Sequence, residues 1–168
     1  LCLDFMRPPV TMERLGRSLD QGYHLVHVVA HSRINARDGR AELLLEDKGG
    51  HVRPVPAPLL SRYLTHRSAR PHLVFLSTCH SGPSRRRPSL VTMGRTLVNA
   101  GVPAVVAMQG RVHIKTAQAV TSAFYARLAE HGVVDRALNQ ARNAVLGAQL
   151  PGAEKPVLFM RLPSGRLW

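Results

Sequence analysis

Apolar residues in this chain follow two rhythms: short unbroken runs, and longer stretches in which they recur every three or four positions. The runs predict buried strands at YHLVHVV (Tyr23 to Val29), HLVFLS (His72 to Ser77), PAVVAM (Pro103 to Met108) and PVLFMRL (Pro156 to Leu162). Leu1 to Phe5 reads as one more short strand, beginning abruptly with no turn or cap before it. AELLLED and HVRPV flank Lys48, Gly49 and Gly50, which predicts two strands joined by a glycine turn.

The other rhythm is helical. Thr11 is placed to cap MERLGRSLDQ, in which Met12, Leu15 and Leu19 fall on one side and which Gly22 ends. Pro58 opens PLLSRYL, where a first-turn proline forfeits no needed donor. MGRTLVNA runs as a helix up to Gly101, and Lys115 to Glu130 and Val134 to Leu146 predict two long amphipathic helices. The stripe Val120, Phe124, Leu128 on the first of these is core. SGPSRRRPS, by its glycine, prolines and serines, is a loop. Strands alternating with helices of this length predict an α/β fold, a mostly parallel sheet with helices on both faces. In such sheets ligands and reacting groups gather beyond the carboxyl ends of the strands.

Composition narrows the class. A chain of 168 residues, 45% hydrophobic, can bury one core without disulfides or metal staples. No apolar run reaches the roughly 20 residues of a membrane helix, and LCLDFMRPP lacks the marks of a signal peptide. Two cysteines, Cys2 and Cys79, make no disulfide framework. A soluble, cytoplasmic protein with no membrane partner is therefore expected. The 23 Lys and Arg against 10 Asp and Glu, for a net charge of +13 and a pI near 11.4, fit a nucleic acid, an acidic partner protein, or a piece of a larger chain acidic elsewhere. Only Lys48, Lys115 and Lys155 are lysines, and an arginine bias of this kind often reflects a GC-rich genome.

Candidate chemistry sits at two strand ends. Tyr23 to Val29 leads to Ala30, His31 and Ser32, and the run LVFLS leads to Thr78, Cys79 and His80. A cysteine peptidase needs a thiolate to attack a carbonyl and a histidine to manage its proton, and neighbouring parallel strands bring their carboxyl ends together. His31 precedes Cys79 by 48 residues, near the spacing of about 50 between histidine and cysteine in caspases. His24, His27 and His31 do not form a zinc site, because positions 24 and 27 point to opposite faces of a strand. GVPAVV and GPSRRRPS lack the lysine followed by serine or threonine that a phosphate loop needs. Arg85, Arg86 and Arg87 read as a solvated loop, with an acidic substrate segment or a nucleic acid as the alternatives.

YHLVHVVAHS followed by LVFLSTCHSG resembles the paired histidine and cysteine motifs of the CHAT domain, a caspase-like peptidase module often attached to TPR repeats. The likeness continues through AELLLED, MGRTLVNAGVPAVVAMQ, AFYARLAEHGVVDRALNQAR and PVLFMRL, and so covers nearly the whole chain. It implies a caspase-haemoglobinase-like three-layer sandwich with Cys79 as nucleophile and His31 as its partner. Backbone amides at Ser32 and Cys79 are then the candidate oxyanion donors. His80, Gln109 and Asp38 are the candidates for substrate contact, with no part in the chemistry assigned to His80. Glu42 and Asp47 join Asp38 as acidic candidates for a pocket that accepts a basic residue. His27 aligns with the family's first histidine and is expected to support packing or orient the loop.

The chain departs from the family in three places: Ser32 replaces a glycine, QGRVHIK (Gln109 to Lys115) replaces an aromatic-proline-valine-x-aspartate pattern, and GAEK stands where a tryptophan is common. CHAT domains usually begin with a strand and a helix before the segment equivalent to Leu1. The expectation is therefore a CHAT peptidase domain over residues 1–168 without that first strand and helix, as the carboxyl-terminal part of a longer protein. The implied activity is a cysteine endopeptidase acting on a protein substrate in bacterial defence or induced cell death, such as a gasdermin or a dedicated effector. Control would come from an N-terminal region, a partner subunit or an indirect nucleic-acid or nucleotide signal. No cofactor or metal is implied. A catalytically silent scaffold and a basic nucleic-acid-binding module are the rival readings.

Overall fold

The computed structural model describes residues 3–66, 70–80, 90–110 and 112–168, and for residues 78–80 the course of the backbone. Thr11 accepts from the Arg14 backbone N–H at 3.2 Å and starts α1 (Met12–Leu19), as its sequence predicts. β1 (Leu25–Ile34), β2 (Ala41–Glu46) and β3 (Val52–Pro56) follow, then α2 (Ala57–Thr65), β4 (Leu73–His80) and α3 (Leu90–Asn99). β5 (Ala104–Met108), α4 (Ile114–His131), α5 (Val134–Gly147) and β6 (Pro156–Met160) complete the order. The predicted loop Ser81 to Ser89, with Arg85 to Arg87, lies outside the described residues.

The strands form one six-stranded sheet in the order β3-β2-β1-β4-β5-β6. Only β1 with β4 and β4 with β5 are parallel, so the sheet is mixed rather than mostly parallel. Connection length explains the difference. A parallel neighbour requires a crossover that carries the chain back to its starting end. The turns Asn35–Arg40 and Asp47–His51 are too short for that, so β2 and β3 run antiparallel to their neighbours. Past β5, α4 carries the chain down and α5 carries it back up, and β6 therefore returns antiparallel, with Pro156 opposite Met108. Gly132, in the left-handed region at φ 70°, makes that helix hairpin possible, its N–H donating to Leu128 O at 2.8 Å.

Strand alternation divides the core in two. Val74 and Leu76 of β4 and Val105 and Ala107 of β5 meet Met12, Leu19, Leu60, Leu64, Met93 and Leu97 from α1, α2 and α3. On the other face Leu73 and Phe75 of β4 and Ala104, Val106 and Met108 of β5 meet Val120, Phe124 and Leu128 of α4 and the inner side of α5. The predicted stripe on α4 is thus fully buried. β4 and β5 read as continuous apolar runs because both of their faces are covered.

Among the described residues the opening strand predicted at Leu1 to Phe5 is absent. From residue 3 to residue 10 the chain has no regular structure and pairs with no strand of the sheet, and Leu3 and Phe5 stay 74% and 76% exposed. β1 runs further than predicted, to Ile34, because its last four residues, His31 to Ile34, pair with β2.

Gly94 of α3 marks a close approach between α3 and β6: a Cβ there would lie 2.7 Å from the Phe159 ring. Alanine in a helix interior normally gains up to about 1 kcal/mol over glycine. Gly94→Ala is expected to lower the urea midpoint instead, since the ring must move; a rise would show that the ring yields without cost.

Candidate active site at the carboxyl ends of β1 and β4

β1 and β4 pair in parallel over eight positions, from Leu25 opposite Leu73 to Ser32 opposite His80. Within that register His31 is the partner of Cys79. The two backbones are therefore one inter-strand step apart, about 4.8 Å. The register has a local cause: Val26, Val28 and Ala30 pack toward the α1–α3 side with Val74 and Leu76, while Leu25 joins Leu73 and Phe75 under α4 and α5. A slip by one residue would turn each of these sets to the wrong face.

His31 is exposed, on the same side of β1 as His27 and Val29. Position 79 has the parity of Leu73 and Phe75, the β4 residues beneath α4. Ser32 lies in the sheet between Leu43 and His80, its side chain buried toward α1–α3. Gln109 stands just past the end of β5, where its backbone N–H donates to Lys155 O at 2.8 Å. Asp38 occupies the β1–β2 turn at this same end and accepts from Arg40 N at 3.0 Å. His31, Cys79, His80, Gln109 and Asp38 thus share one end of the sheet. Asp47 does not: it closes the β2–β3 turn at the other end, accepting from Gly49 and His51 N–H groups.

Glu42 is committed elsewhere than to an empty pocket. It lies 6% exposed opposite Arg33 and accepts from Arg33 Nε at 2.8 Å and Asn35 Nδ2 at 2.9 Å. Asn35 also closes the turn, its N–H donating to Arg40 O and its carbonyl accepting from Gly39 N, both at 2.9 Å. This Arg33–Glu42–Asn35 network fixes the turn beside His31. The only trace of it in the sequence is a charge inside the apolar run AELLLED.

His27 packs its ring 4.7 Å from Phe75 and 5.7 Å from Tyr125 of α4. Phe75 in turn meets Phe124 edge-on at 5.3 Å. The packing role expected of His27 has this physical content. Burial among those apolar rings lowers the His27 pKa to about 4, although part of the residue still faces solvent. Burial likewise pushes the Tyr125 phenol well above its ordinary value.

A shallow cavity of about 320 Å³ between Thr11–Glu13, Asp47–Gly49 and Arg53 is remote from this end and bridged by the Glu13–Lys48 ion pair. Among the described residues, no three His, Cys, Asp or Glu side chains converge as metal ligands do. No described helix is long and apolar enough to cross a membrane.

Residues 4–156 match the family model of the CHAT domain, and the chain belongs to that family. CHAT domains are caspase-like cysteine peptidase modules, and the α/β architecture with its mixed six-stranded sheet is compatible with a caspase-like fold. No curated protein matches the chain.

The His27 environment sets a pH dependence. The unfolded chain binds a proton at His27 near pH 6.5, whereas the folded chain resists doing so until about pH 4. Its contribution to stability is therefore complete above about pH 6.5 and is lost as pH falls toward 4. Solvent on the exposed side of the ring keeps the effect modest. Urea midpoints between pH 7.5 and pH 4.5 are expected to fall less in His27→Phe than in the wild type, and parallel profiles would contradict this assignment.

Proposed function

We propose that this chain is a cysteine endopeptidase in which Cys79 attacks and His31 moves the proton. The observation that carries the reading is the parallel register that makes these two residues strand partners in a member of a peptidase family. In this mechanism the Cys79 thiol loses its proton to the His31 imidazole, and the thiolate adds to the carbonyl carbon of the scissile peptide. Backbone amides near Ser32 and Cys79 hold the resulting oxyanion. Collapse of this intermediate breaks the C–N bond as His31 returns the proton to the leaving amine, leaving a thioester on Cys79. Water then adds to the thioester with His31 as base, and the carboxylic acid product departs as the thiol is restored. The reaction requires no cofactor.

The reading extends to a three-layer caspase-haemoglobinase sandwich and to a protein substrate cut within a cytoplasmic defence or cell-death system of bacteria. In this reading Gln109, His80 and Asp38 contact the substrate, an assignment supported by their position at the same sheet end as the reacting pair. Control falls to a regulatory region or partner subunit outside these residues, itself answering to a nucleic-acid or nucleotide signal.

The test is cleavage of candidate partner proteins, in the presence of the regulatory region and its trigger, by wild type, Cys79→Ala and His31→Ala, with product ends read by mass spectrometry. Both variants are expected to lose at least about 10³-fold in rate, together and not additively, as for catalytic groups that act as a unit. Cutting that survives Cys79→Ala would remove this cysteine from the chemistry.

A further inference from the structure

The opposite rim of the sheet carries a second arrangement that the peptidase reading does not use. At the amino ends of β1, β4 and β5 and the carboxyl end of β6, backbone hydrogen bonds tie four segments into a row. His24 O accepts from His72 N at 2.7 Å, His72 O accepts from Ala104 N at 3.1 Å, and Pro103 O accepts from Arg161 N at 3.0 Å. The His24 and His72 rings meet edge to face at 5.3 Å. Beside them, Arg70 and Arg161 aim their guanidinium groups at one spot: a Cβ on Gly101 would lie 4.0 Å from Nη1 of each. The two nitrogens are therefore no further apart than twice that distance, both beside a residue that lacks a side chain.

Two exposed like charges this close repel weakly in water, and an anion held between them is attracted by both. Both arginines are exposed, and among the described residues neither forms an ion pair with a carboxylate. The acidic residues of this end are engaged or placed elsewhere. Asp4 accepts from the Tyr23 hydroxyl at 2.5 Å, Glu130 is held by Arg127 at 2.9 Å, Asp20 already has a partner, and Asp135 sits on α5 beside Gly165. With 23 Lys and Arg against 10 Asp and Glu, the chain has few carboxylates left to neutralise the rim.

We propose that this rim, with Arg70 and Arg161 across Gly101 and His24 and His72 beside them, binds the phosphodiester backbone of a nucleic acid. The three inter-strand steps from β1 to β6 span about 14 Å at roughly 4.8 Å each. One strand of B-DNA carries about four phosphates over that length, at roughly 3.4 Å of axis per phosphate. Guanidinium groups suit this ligand because their planar donors meet phosphate oxygens in pairs. Contacts of this kind go to the backbone rather than to base edges, so the binding is independent of sequence. The rim lies at the end of β1 and β4 opposite His31 and Cys79, which leaves the strand-end site open while a nucleic acid is held.

The test is fluorescence anisotropy with the 168-residue chain and two probes, a labelled 20-base-pair DNA duplex and a 20-nucleotide single-stranded RNA, across a salt series. The double variant Arg70→Gln, Arg161→Gln keeps both exposed stems, and circular dichroism checks its fold. Arg37→Gln with Arg40→Gln, in the β1–β2 turn at the other end, removes equal charge. The rim variant is expected to bind the duplex about tenfold more weakly than wild type. Its slope of log K against log salt should be shallower by about 1.8, the value for two lost phosphate contacts, with the turn variant close to wild type. An unchanged slope, an equal loss in the turn variant, or no binding of either probe by the wild type would overturn the proposal.

Discussion

The eight-residue parallel pairing of β1 with β4 holds the two halves of the sheet in place. β4 is apolar on both faces, so its position is set twice, by α1 to α3 on one side and by α4 and α5 on the other. β1 is then placed by what it shares with β4: Val26 and Val28 against one cluster, Leu25 and the His27 ring against the other. Because side chains alternate strictly along a strand, a slip by one residue would turn both sets to the wrong faces, and the observed register brings His31 level with Cys79. The spacing of 48 residues in the sequence is thus a consequence of folding two strands with β2, β3 and α2 between them.

Beyond the site, the two halves of the sheet are covered differently. α4 and α5 close one face over β4 to β6, while on the same face of β1 to β3 Val29 is 79% exposed and Val52 67%. Among the described residues His31 lies exposed along this stretch, with the Arg33–Glu42–Asn35 network holding the turn beyond it. The buried core is concentrated under β4 and β5, and His31, the histidine proposed to move the proton, sits on the strand that borders it.

Much of this was legible in the chain. The strands β4 and β5 and the long helices are read correctly because their signals are internal: runs of branched residues with both faces buried, and the Val120, Phe124, Leu128 stripe. The turn at Lys48, Gly49 and Gly50 and the Thr11 cap are also local chemistry, as are the residues that carry the family motifs. The mixed direction of the sheet was hidden because it depends on connection length, which periodicity does not report. Leu1 to Phe5 looks like a strand by composition, but a strand exists only with a partner, and Leu3 to Phe5 have none in the sheet. The Glu42 network and the convergence of Arg70 with Arg161 were invisible for the same reason, since residues distant in sequence meet only after the strands have paired.

Whether His31 and Cys79 act as a pair is read from the alkylation rate of Cys79 by iodoacetamide at pH 7, in a Cys2→Ser background, with and without His31→Ala. An isolated cysteine is only a few per cent thiolate at that pH, so pairing with a histidine raises its reactivity by about tenfold or more. Cys79 is expected to react at least about tenfold faster with His31 present than in His31→Ala. Equal rates in the two proteins, both at the level of a free cysteine, would show that the two residues do not act as a pair.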